Sequence, residues 1–150
     1  MLIKIFPTAD CSMQNRAIVF VICCNLDGRR LKALLAEVER LNQCSSVSSI
    51  ALLDGGRVLF YMEGLPADLG VAFSTAVDVF GQSDVIELAR GWIGPRRFPS
   101  WSMRCIRVLQ GDLLRIVRAN WVGLAQRVGT TIPESGMEIL AELVLKSHEH

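Results

Sequence analysis

The chain has 150 residues, 51% of them hydrophobic, and its 16 Lys and Arg against 15 Asp and Glu leave a formal net charge of +1. A chain of this length makes one domain and buries about 70% of its unfolded surface, enough for a core without disulfide or metal staples. The near-neutral balance excludes the broad basic field that nucleic-acid binding needs, and the longest apolar run, Ala17 to Cys24, is too short to span a bilayer, so neither partner is expected.

Met1 to Pro7 has no basic n-region, long apolar core or small-residue cleavage site, so the protein is expected in the cytoplasm. The five cysteines, Cys11, Cys23, Cys24, Cys44 and Cys105, are odd in number and contain no CxxC pair, which favours free thiols over a disulfide framework or a zinc site. Arg16 to Cys24 is rich in Val, Ile and Phe and reads as a strand. Neighbouring side chains face opposite sides there, so one of Cys23 and Cys24 should be buried and the other reachable. Leu31, Leu34, Leu35, Val38 and Leu41 recur at helical spacing and predict an amphipathic helix over 28–41 with Asp27 as its N-cap.

Val47 to Leu53 and Arg57 to Met62 read as strands joined at Asp54-Gly55-Gly56, since Asp-Gly supplies the positive φ of a hairpin turn. Pro66 and Asp68 open a second helix that runs to Phe80, where Gly81-Gln82-Ser83 stops it. Strands follow at 85–92 and 103–109. The fold class predicted is α+β, a ferredoxin-like βαββαββ chain with a mixed five-stranded sheet and two helices on one face. Leu113, Leu114, Val117, Trp121, Leu124 and Val128 form one further helical stripe, and Met137, Leu140, Ala141, Val144 and Leu145 another, parted at Thr130 to Pro133. The division expected is a domain over 1–110 and a helical extension over 111–150, which packs on the sheet or on another subunit; a homo-oligomer would bury those stripes, with Trp121 as its anchor.

Two segments carry a family resemblance. Asp54-Gly55-Gly56-Arg57-Val58-Leu59-Phe60-Tyr61-Met62-Glu63-Gly64, then Ala89-Arg90-Gly91, then Arg97-Phe98-Pro99-Ser100-Trp101-Ser102-Met103 occur in the order and context of the BLUF family, blue-light sensors that hold a flavin on a ferredoxin-like domain. The chain resembles that family over roughly Arg16 to Val108. The resemblance implies an FAD site at Phe20, Asn42, Phe60, Trp101 and Met103. Phe20 stands where the family has a Tyr and Phe60 where it has a Gln, the two groups of its photochemistry. Phenylalanine has neither a hydroxyl proton nor an amide, and Tyr61 points to the other sheet face, so neither role is filled. Val79 to Asp84 also departs from the family's Asp-Pro-Arg-His pattern.

The expectation is therefore a BLUF-like regulatory protein that acts by contact with a signalling partner or with its own copies, with no cofactor and no photocycle. FAD remains the cofactor if the pocket still functions, and a photoreceptor with non-standard photochemistry is the alternative. Core packing is the competing role for Trp101 and Met103, and a helix C-cap for Asn42. No enzyme is expected, because the only histidines, His148 and His150, end the chain. Glu63 and Asp54 read as turn and surface carboxylates. Arg90, Arg96, Arg97, Arg104 and Arg107 read as a basic cluster for a phosphate or an acidic partner, or as salt-paired surface.

Overall fold

The computed structural model describes residues 14–43, 45–81, 84–98, 101–121 and 135–148. Cys11, Cys44, Leu124, Val128, the Thr130–Pro133 break, the Gln82-Ser83 stop, Pro99-Ser100 and His150 lie outside them. Five strands, β1 (Arg16–Cys23), β2 (Ser48–Leu53), β3 (Arg57–Gly64), β4 (Asp84–Trp92) and β5 (Arg104–Arg107), alternate with helices α1 (Gly28–Asn42), α2 (Pro66–Phe80), α3 (Gln110–Val117) and α4 (Gly136–His148). The sheet order is β4-β1-β3-β2-β5. Every neighbouring pair is antiparallel except β2 with β5, which makes the sheet mixed.

Local chemistry accounts for the element ends. Asp27 Oδ1 accepts from the Arg30 N–H at 2.8 Å and caps α1. In the β2–β3 turn, Gly55 sits at φ 102°, and Asp54 Oδ1 accepts from the Gly56 and Arg57 N–H groups at 3.2 and 2.9 Å. A reciprocal capping box starts α4: Ser135 Oγ accepts from the Glu138 N–H and Glu138 Oε1 accepts from the Ser135 N–H, both at 3.1 Å.

Alternation along the strands divides the core in two. Ile18, Phe20, Ile22, Phe60 and Met62 face α1 and α2, together with Leu31, Leu35, Val38, Leu69 and Ala76. Ala17, Val19, Val21, Ile50, Leu52, Leu59 and Tyr61 face α3 and α4, together with Leu113, Ile116, Trp121, Met137, Leu140 and Val144. Among the described residues, most of the apolar stripes that pointed to an oligomer thus meet this chain's own sheet: Trp121 is 9% exposed and Leu140 0%, while Leu145 stays 65% exposed. Among the described residues no helix is long and apolar enough to cross a membrane.

Three expectations change. Among the described residues the stripe beginning at Leu113 is helical to Val117, and Trp121 lies past the helix end, where it donates its indole N–H to the Ile116 carbonyl at 3.0 Å. Strand β5 is shorter than 103–109, because Gln110 already starts α3 and only Arg104–Arg107 pair with β2. The arginine cluster is not one surface. β4 and β5 are neighbours in sequence but form opposite edges of the sheet, which carries Arg90 away from Arg104 and Arg107.

Candidate functional site

Phe20 on β1 and Phe60 on β3 are direct cross-strand partners on the α1/α2 side. Both are 0% exposed. Their rings stack with centroids 5.2 Å apart at 23°. Phe73 of α2 meets Phe20 edge-on at 4.8 Å, and Phe80 meets Phe60 edge-on at 5.9 Å. Met103, 9% exposed, joins the same cluster. Four aromatic rings thus occupy the ground between the two helices and the central strands.

Asn42 closes the buried face of α1 that Leu31, Leu35 and Val38 begin, and it is 2% exposed. Its backbone carbonyl accepts from the Ser45 N–H and hydroxyl at 3.0 and 3.1 Å. Its side-chain Nδ2 is buried with no hydrogen-bond partner, so the amide does not act as a cap.

Trp101 separates from the other four predicted positions. It packs with the α3/α4 cluster, stacks on Phe98 at 6.0 Å and 11°, and lies 5.0 Å below the Arg104 guanidinium. The segment that carries it is tied down by polar groups on the strand ends. Ser49 donates its N–H to the Trp101 carbonyl at 3.2 Å and its hydroxyl to the Ser102 carbonyl at 2.6 Å. Arg96 Nη1 donates to Ser48 Oγ at 3.2 Å.

Glu63 does most of this anchoring. Its carboxylate accepts from the Arg97 and Phe98 N–H groups at 2.9 and 2.6 Å and from the Tyr61 hydroxyl at 2.8 Å. The residue is 0% exposed, which corrects its reading as a surface group. Strand parity carried the signal: Tyr61 and Glu63 are two apart, so they share a face. Burial holds the Tyr61 phenol well above its ordinary range, and the Glu63 charge beside it adds to the effect. Gly64 follows because the strand end runs against the loop before β2: a side chain there would come within 3.2 Å of the Val47 Cα and 3.3 Å of Ser46 Oγ. Asp54 remains a turn residue, paired with Arg57 at 2.8 Å.

Burial also raises the Cys24 thiol, with Cys23 and Asp54 adding to it. Cys24 is buried in the α1/α2 cluster and Cys23 is half-buried against the α3/α4 cluster, so the two face opposite sides of the sheet as strand alternation requires.

No family model matches the sequence, and no curated protein matches it. Solved structures do. BlsA in its photo-activated state superposes with a TM-score of 0.67 at 14% identity, covering 87% of this chain and 95% of that one. The dark-state BLUF protein BlrB superposes with a TM-score of 0.56 at 19% identity, over 64% of this chain and 74% of that one. The chain has a BLUF-domain fold. A third structure, Klebsiella pneumoniae BlrP1 with FMN and cyclic diGMP, matches with a TM-score of 0.54 at 19% identity; the match takes in 89% of this chain and 33% of BlrP1.

Proposed function

We propose that this protein is a regulatory module of BLUF fold that works through protein contact and holds no flavin photocycle. The stacked pair Phe20–Phe60, sealed by Phe73 and Phe80, carries this reading. Rings fill the ground that a flavin ring would need, and they bring neither a proton donor nor an amide. Polar flavin edges buried against Phe60 would go unpaired at about 1–3 kcal/mol each, which weakens binding by tens-fold. The residues present therefore do not fit the group. A partner protein or domain is the natural recipient of a signal, as the small share of BlrP1 matched by this fold suggests. The homo-oligomer has less support, since Leu113, Trp121, Met137, Leu140 and Val144 of the stripes that motivated it are buried against their own sheet, while Leu145 is exposed.

One observation favours a bound FAD with non-standard photochemistry. Asn42 Nδ2 is buried and unpartnered, at a position the BLUF resemblance assigns to a flavin contact. The absorption spectrum of purified protein, taken before and after blue light, separates the two readings. The flavin-free module is colourless between about 350 and 500 nm after incubation with FAD and removal of the unbound flavin; stoichiometric FAD with a light-induced red shift would overturn it.

A further inference from the structure

Two helices packed over the central strands of a five-stranded sheet leave its edges uncovered on that side. On the β5 flank this creates a groove of about 570 Å³ between α1 and the β5 edge. None of the four rings lines it, although Leu31 and Leu35 reach from its wall into the core cluster that holds them, and its role does not depend on whether a flavin binds at the rings. One stripe of α1, from Gly28 through Leu31, Lys32, Leu35 and Ala36 to Glu39, forms the upper wall and runs about 16 Å along the helix. Leu53, Cys105 and Arg107 form the floor, since Cys105 pairs with Ala51 and Arg107 with Leu53 on the helix side of the sheet.

The groove has a polarity. α1 starts at the end of the sheet where the β2–β3 hairpin turns, so Lys32 in its second turn and Arg107 beside Leu53 share that end. Neither has an ion-pair partner among the described residues. Glu39 lies about two turns further along α1, near enough to Cys105 that its charge helps burial raise that thiol. Between the charged ends the walls are Leu31, Leu35, Ala36 and Leu53. The volume falls in the range of about 300–1,000 Å³ that holds small ligands.

We infer that the groove between α1 and β5 binds a small molecule with an apolar body and a single anionic group, the anion at Lys32 and Arg107 and the body along Leu31, Leu35 and Leu53 toward Cys105. Glu39 at the far end selects against a second anionic group by like-charge repulsion.

Cys105 reports occupancy, because its residue is exposed on the groove floor. The experiment follows iodoacetamide alkylation of Cys105 in the full chain by peptide mass spectrometry, with decanoate or the dianion sebacate at millimolar concentration. Decanoate should slow the alkylation about tenfold, and sebacate far less. The double variant Lys32→Glu/Arg107→Glu, whose altered side chains are both exposed and so do not threaten folding, should need about tenfold more decanoate for the same protection. An unchanged alkylation rate with decanoate, equal protection by sebacate, or undiminished protection in the double variant would each overturn the inference.

Discussion

On the α1/α2 side of β3, Phe60 stacks on Phe20, with Phe80 edge-on to the first ring and Phe73 to the second; one residue along, on the α3/α4 side, Tyr61 donates to a buried Glu63 that also holds the backbone of Arg97 and Phe98. The first arrangement depends on filled volume and is indifferent to direction. The second depends on directed bonds between a charge and its donors. Rings fill the helix side as core, while the Trp101 segment is anchored from the opposite side and from Ser49.

The largest expected effect is on the ring side. Phe60→Ala should cost about 3–5 kcal/mol in denaturant unfolding, the usual cost of deleting a buried aromatic ring. A loss under about 1 kcal/mol would mean that the cluster is loosely packed. On the polar side, Glu63→Ala should cost about 3 kcal/mol, because it strands a hydroxyl and two backbone donors away from water. The near-isosteric Glu63→Gln should still cost about 1–2 kcal/mol, where a volume-conserving exchange among the rings, such as Phe60→Met, should cost no more. If Glu63→Gln proves neutral, the contrast between the faces fails.

The pH dependence sharpens the comparison further. Burial and the neighbouring carboxylate raise the Tyr61 phenol in the folded chain above its unfolded value of about 10. Its contribution to stability is therefore complete below that pH. It is lost as the pH rises, because the unfolded chain releases the proton while the folded chain keeps it. The urea midpoint should fall between about pH 9 and 11 in the parent and fall less in Tyr61→Phe, with other tyrosines ruled out because the chain has one. The smallest effect belongs to Trp121→Phe, which keeps the ring and loses the indole bond to the Ile116 carbonyl, at about 1 kcal/mol in the same unfolding measurement.

What the sequence determined alone is what depends on near neighbours. The helical spacing of Leu31, Leu35 and Val38, the Asp27 cap and the period-two runs of β1 and β3 are set within a few residues of each position, and the structure places all of them as read. The opposed directions of Phe60 and Tyr61 were legible for the same reason. Only the tertiary structure decided that β4 and β5 lie at opposite edges, which parts Arg90 from Arg104 and Arg107, because strand order follows from pairing over long separations. It also decided that Glu63 is buried, since the donors that make burial tolerable arrive from a loop more than thirty residues away. The C-terminal stripes had two places to go, the sheet or another subunit, and periodicity reads the same for both. Their fate rested on a bare sheet face that no local pattern records.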